Sequence, residues 1–230
     1  MSSTIEPARR FIDLSHVIED GMVTFKGLPG PVICDFWSRE ASAANYDDGS
    51  SFQIGQIDMV ANTGTYLDAP FHRHADGRDL SELDLEQLSD LPAIVVRQPF
   101  GQGLAVDAAA FAGRDLRGKA VLVHTGWDRH WRSEAYFDNH PILTRAAAEL
   151  LAALGAKLVG IDSHNIDDTR TRSRPVHTAL LGANIPICEH LTRLEQVPES
   201  GFRFSAVPPK IQGMGTFPVR AHAIVSGKAT

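Results

Sequence analysis

Cysteine is scarce: only Cys34 and Cys188 occur in 230 residues, far apart and without C-x-x-C spacing. That excludes a disulfide-stapled scaffold and a thiolate zinc site, and suits a reducing compartment. Basic charge is also short. With 22 Lys and Arg against 28 Asp and Glu, the formal net charge is −6, and no basic stripe offers a phosphate backbone a surface. No run is apolar enough to span a bilayer, and the opening MSSTIEPARRFIDLSH turns polar too soon for a signal peptide. The expectation is a soluble, cytoplasmic protein with neither nucleic acid nor membrane as partner. Phosphate-cradling loops are missing too: GQGLAV at 101 has two glycines and no third, and there is no G-x-S-x-G elbow.

What is present supports a sizeable core. A hydrophobic content of 43% over this length fits a single α/β domain spanning residues 1–230. RFIDLSHVI reads as a first strand, followed after EDGM and KGLPGP by a long surface-lying segment. LSELDLEQLSDL reads as a short acidic helix and PAIVVRQ as a strand covered on both faces. VDAAAFAGRDL is a helix candidate ahead of the strand KAVLVHTGW. In LTRAAAELLAALGAKLVGID, Thr144 is the expected N-cap and Gly155 ends the helix before the next strand. HTALLGANIPICEHL repeats helix then strand, while FRFSAVPPKIQ and PVRAHAIV are strands with no helix between them, which predicts a mixed sheet.

The chain has ten histidines, and the functional question is which of them converge with carboxylates. His16, His124, His130, His140, His164, His190 and His222 stand alone, where structural or surface roles are usual. Cys188 and His190 would share a strand face and belong to core packing. The stretch NTGTYLDAPFH, residues 62–72, differs: Gly64 and Pro70 fix an irregular backbone around Asp68 and His72, with His74 extending the pattern to H-x-H. By residue type alone this is a metal or acid/base site, or else an N-cap aspartate beside an exposed histidine. Trp127 and Trp131, at i and i+4, suggest one packed helical face. Asp162, Asp167 and Asp168 in the DSHNIDD stretch suit turns and caps.

Several blocks in order then resemble the cyclase-like metal-dependent hydrolases, a family that includes bacterial kynurenine formamidase and isatin hydrolase. They are FIDLSHVIEDGM, the 62–72 loop, VLVHTGWDRHW, YFDNHPILTRAAAELLAALGAKLVGIDSHNID, PVHTALLGANIPICEHLTRL and PVRAHAIV, together covering most of the chain. The family's loop reads H-x-G-T-H-x-D-x-P-x-H. This chain matches it at Gly64, Thr65, Asp68, Pro70 and His72, but carries Asn62 and Tyr66 in place of two metal-binding histidines. The resemblance implies a swivelling β/β/α domain with a mixed sheet, forming a homodimer or homotetramer. It also implies Asp68 as the bridging aspartate, His177 as a later metal ligand, Glu189 as the bridging glutamate and His72 as the proton-transferring histidine.

Such a donor set suits one zinc or manganese ion per chain, with a position open for water. An ion of that kind makes its water acidic near neutral pH, and His72 can move the proton to the leaving nitrogen or oxygen. The expected activity is hydrolysis of a small amide, cyclic amide or lactone. Tyr66 could aim its hydroxyl at a developing oxyanion, and Phe25, where the family places an aromatic residue, would bear on the substrate together with Asn62. The alternatives are a metal-free small-molecule-binding protein in which Asn62 and Tyr66 have made the pocket a hydrogen-bonding one, and a lyase or isomerase on the same scaffold.

Overall fold

The computed structural model describes residues 8–226. The first strands are β1 (Arg9–Asp13), β2 (Val32–Trp37) and β3 (Ile54–Asp58), with a short helix α1 (Arg39–Ala43) between the last two. There follow β4 (Tyr66–Asp68), β5 (Leu91–Arg97), β6 (Ala105–Val106), β7 (Ala120–His124) and β8 (Ile142–Leu143). Helix α2 (Arg145–Ala153) leads to β9 (Leu158–Ile161), and α3 (Pro175–Gly182) to β10 (Ile187–Glu189). The chain ends with β11 (Phe202–Ser205), β12 (Thr216–Pro218) and β13 (His222–Ser226).

Nine strands form one sheet in the order β1-β13-β11-β5-β7-β9-β10-β4-β12. The β5-β7-β9-β10 run is parallel and both flanks are antiparallel, so the architecture is α/β with a mixed sheet. Alternation along the central strands creates two cores. Ala93, Val95, Ala120 and Leu122 face one cluster, whereas Ile94, Val96, Val121 and Val123 face the other, beneath α2 and α3. Ile12 and Ala223 from one end of the sheet share the first cluster with Leu67 from near the other. The sheet therefore curls around that core. His16 N–H donates to Thr65 Oγ1 at 3.0 Å and Ser15 Oγ to Val219 O at 3.2 Å, joining the two ends.

Thr144 caps α2 through Ala147 N–H, and Gly155 (φ +75°) ends it, as its sequence predicts. Two expected helices are instead single 3-10 turns, Leu85–Gln87 and Ala108–Ala110. In the first, Asp79 and Glu82 side chains take the Ser81 and Asp79 amide protons, and such local bonds compete with a helix. In the second, Asp107 binds Ala108 N–H and Gly113 turns to φ +72°. The surface-lying segment holds the β2–β3 ribbon, every residue of whose strands is exposed. Trp127 and Trp131 do not share a helical face. Their 3-10 turn ends at His130, and the Trp131 ring stacks on His16 at 3.9 Å while Trp127 packs edge-on against Phe100. His190 likewise leaves the strand of Cys188 at φ +58°, and its Nδ1 meets the Tyr136 hydroxyl at 2.9 Å.

Candidate active site

The site is a consequence of strand register. Side chains two apart on a strand share a face, so Tyr66 and Asp68 project together from β4. Antiparallel pairing sets Glu189 of β10 opposite Tyr66, and Thr216 of β12 opposite Asp68. Directly opposed residues also share a face. Four polar side chains thus line one side of the sheet, while Leu67 and Cys188 between them enter the core on the other. All four are buried.

Glu189 is fully held. Its Oε2 accepts from the Tyr66 hydroxyl at 2.7 Å and from Asn165 Nδ2 at 3.3 Å, and its Oε1 accepts from Ile166 N–H at 2.6 Å. Thr216 Oγ1 donates to Asp68 Oδ1 and stands 2.8 Å from His72 Nδ1. The hydroxyl has one proton, so with that proton on Asp68 the oxygen accepts from His72 Nδ1–H, and His72 Nε2 keeps its lone pair. His72 itself is the last residue of the 3-10 turn that Pro70 begins, and is exposed at the cavity edge.

His177 enters from the first turn of α3. Asp167 accepts from Val176 and His177 N–H at 2.9 Å each and from the His177 ring at 2.7 Å, so one carboxylate caps the helix and fixes the imidazole. That leaves His177 Nε2 facing Asp68 Oδ2 at 3.5 Å and Glu189 Oε1 at 3.7 Å. Ligands around a tetrahedral zinc, at bond lengths near 2.1 Å, lie about 3.4 Å apart. Asp68 Oδ2 is buried without a hydrogen-bond partner, an expensive condition for a carboxylate oxygen. The distances from His177 Nε2 to both carboxylates therefore fit ligands of a divalent ion. Ligand atoms of Asp68, His72 and His177 also lie within 4.8 Å of one another, so His72 stands within reach of the same point.

The buried charges shift one another. Burial alone would lower the His177 pKa, but Glu189, Asp167 and Asp68 override it and raise it to about 10. Burial pushes the Glu189 carboxyl up, with the Asp68 charge adding and His177 opposing. Burial likewise drives the Tyr66 hydroxyl well up, aided by Glu189 and Asp68, so it stays a donor at neutral pH.

Phe25, Asn62, Tyr66, His72, His177 and Glu189 line one cavity of about 260 Å³. Every residue singled out for the site is thus gathered here, Asp68 through its contacts with His177 and Thr216. The Tyr66 proton is committed to Glu189, so donation to a substrate oxygen requires that bond to be released. Phe25 lies on His164, ring centroids 4.6 Å apart. His74 stands outside the cluster, its Nε2 3.2 Å from Thr178 O. Asp162 takes Thr125 and Gly126 amide protons, and Asp168 clamps Arg170, so both serve turns. Sequence reasoning missed Thr216, Asn165 and the ring-orienting half of Asp167's role. Asp167 was legible as a cap, whereas Thr216 reaches the site only through a pairing of distant strands.

Residues 12–168 match the model of the putative cyclase family. This chain belongs to that family. The cyclase-family protein is 30% identical over 213 residues to the kynurenine formamidase of Geobacillus thermodenitrificans, covering 92% of this chain and 95% of that one. It superposes on an isatin hydrolase bound to the product analogue thioisatinate with a TM-score of 0.81, at 21% identity and 95% and 93% coverage. A potential metal-dependent hydrolase with cyclase activity gives a TM-score of 0.76, at 25% identity and 94% and 98% coverage. The curled sheet and sparse helices are thus the fold of those structures.

Proposed function

We propose that this cyclase-family protein is a metal-dependent hydrolase of a small amide, cyclic amide or lactone. The observation that carries the reading is the buried Asp68 Oδ2, which no hydrogen bond satisfies and which faces His177 Nε2 at 3.5 Å beside the fixed Glu189. Asp68, His177 and Glu189 would hold one zinc or manganese ion. Such an ion supplies Lewis acidity and a water ionisable near neutral pH. The similarity to kynurenine formamidases supports an amide among the candidate bonds.

The chain's own groups do the rest. Thr216 holds His72 in the Nδ1–H tautomer, leaving Nε2 to take a proton from water and return it to the leaving nitrogen or oxygen. Asp167 keeps the His177 ring from turning away. Tyr66 is the oxyanion donor once its proton leaves Glu189. Phe25 and Asn62 contact the substrate, one by its ring and the other by its amide. The protein acts as a homodimer or homotetramer, for which the exposed apolar β2–β3 ribbon supplies a surface, and it works in the cytoplasm.

A second reading has its own support: the Tyr66–Glu189 bond and the His177–Asp167 ion pair settle part of the pocket's charge internally, as a metal-free binding protein would need. Turnover of formamides, cyclic imides and lactones separates the two. The hydrolase reading expects chelator-sensitive turnover that zinc or manganese restores and Asp68→Ala abolishes. No turnover under any metal condition favours the binding protein.

A further inference from the structure

Two cations line the same cavity and have no part in the hydrolytic arrangement. Arg73 directly follows His72, and Arg174 precedes the first residue of α3. They are tied together. Arg73 Nε donates to Thr178 Oγ1 at 3.0 Å, and that hydroxyl donates to Arg174 O at 2.7 Å. Arg174 is further locked by one nitrogen, Nη1, which donates to the carbonyls of Asp168, Thr171 and Ser173 at 3.1, 2.8 and 2.7 Å. Both terminal nitrogens of Arg73, and Nε and Nη2 of Arg174, have no partner among the described residues.

Neither arginine forms an ion pair among the described residues. Arg170, on the loop leading to Arg174, shows the usual alternative, since both oxygens of Asp168 clamp it at 2.9 Å. Two neighbouring guanidinium groups without a carboxylate repel each other, and a shared anion would relieve that repulsion. A guanidinium fork matches a carboxylate in shape and charge. Phe25 and Leu28 supply apolar wall to the same cavity, whose 260 Å³ is small for a ligand pocket. The lining thus offers a hydrolytic centre, an apolar surface and a cationic corner.

We propose that the substrate carries a carboxylate held by Arg73 and Arg174 while its amide or lactone carbonyl lies at the Asp68–His72–His177 centre. This rests on the hydrolase reading and narrows its substrate class. For a formamide the chemistry balances simply: water oxygen bonds to the formyl carbon, the carbon–nitrogen bond breaks, and the nitrogen takes one proton of the water, giving an amine and formic acid, which releases its proton as formate.

The test compares 3-formamidobenzoate with formanilide, which differ only by the carboxylate, using the metal-loaded enzyme. Wild type is expected to favour the anion at least tenfold in kcat/KM, and Arg73→Met and Arg174→Met to bring that ratio towards one. A distant surface substitution, Arg114→Met, should leave the ratio alone. Arg73→Met is the primary variant, because Arg174 also holds a loop together. A wild-type ratio near one, or a preference that survives in Arg73→Met, overturns the proposal. Equal losses on both substrates also overturn it, since the cations would then only balance the central carboxylates.

If neither compound is turned over, the anion site is judged separately from the hydrolase reading. The chelator-treated protein is titrated with each compound and followed by NMR, so that a carboxylate cannot report a bound ion. At least tenfold tighter binding of 3-formamidobenzoate than of formanilide, lost in Arg73→Met, supports the anion site. Equal binding rejects it.

Discussion

At the scale of single residues, Asp167 shows how one side chain serves fold and site together. It caps α3 and holds His177 Nδ1, so Nε2 is presented to Asp68 and Glu189. Asp167→Asn weakens that hold and should cost roughly 10–100-fold in metal affinity, measured by competition with a chromogenic chelator. Tyr66 is tested by Tyr66→Phe, which removes the hydroxyl and keeps the ring. If it stabilises an oxyanion, kcat falls by about 100-fold with KM little changed. Unchanged kcat on an identified substrate would remove Tyr66 from the mechanism.

His177 also sets a pH dependence. Its pKa of about 10, against 6.5 for an unperturbed imidazole, lies above the unfolded value. The ion pairs it makes with Asp167, Asp68 and Glu189 therefore stabilise the metal-free fold fully below pH 6.5, and that stability is lost as pH rises through 10. Binding an ion must displace the same proton. Apparent metal affinity should then rise by about tenfold per pH unit between pH 7 and 9, read by calorimetry in buffers of different ionisation enthalpy. A flat profile would mean that His177 is not a ligand.

At the scale of elements, the site depends on how closely β12 approaches the turn bearing His72. A Cβ on Gly215 would lie 2.5 Å from His72 N and 2.6 Å from its Cα, both backbone atoms that cannot yield cheaply. Gly215→Ala should push His72 off Thr216, cutting turnover by at least tenfold and lowering thermal stability by about 1–3 kcal/mol as an overpacking change. Activity and melting temperature measured together check it.

This is also where sequence legibility divides. Strands with continuous apolar runs, such as β5 and β7, and the capped α2 were readable because their signals are local. The acidic segment at 80–91 carries helical composition, yet Asp79 and Glu82 spend their side chains on nearby amides. β12 is short and unremarkable by composition, and its value lies in pairing with β4, some 148 residues away between Asp68 and Thr216. Asp68 stood out in its own irregular loop, whereas His177 and Glu189 were named through resemblance. Register brings Asp68 and Glu189 to one face of the sheet, and Asp167 aims His177 of α3 at both.

At the scale of the whole molecule, the β2–β3 ribbon leaves Val32, Ile33, Phe36, Trp37, Ile54 and Ile57 exposed. Two-stranded ribbons are marginal alone, and one carrying this many exposed apolar side chains favours a partner surface. Light scattering should therefore find a dimer or tetramer, and Phe36→Ser with Ile57→Ser should shift it towards monomer. A monomeric wild type would leave the ribbon without that role.

In the proposed hydrolase, Asp68, His177 and Glu189 hold one divalent ion although Asn62 and Tyr66 stand where the family's other ligands would be. Elemental mass spectrometry of the untagged protein tests it most directly, with Asp68→Ala and Glu189→Ala as comparisons and melting curves to confirm that each is folded. About one zinc or manganese per chain is expected, lost in both variants. No metal in the wild type, even after incubation with zinc or manganese, or equal metal in folded variants, would contradict it.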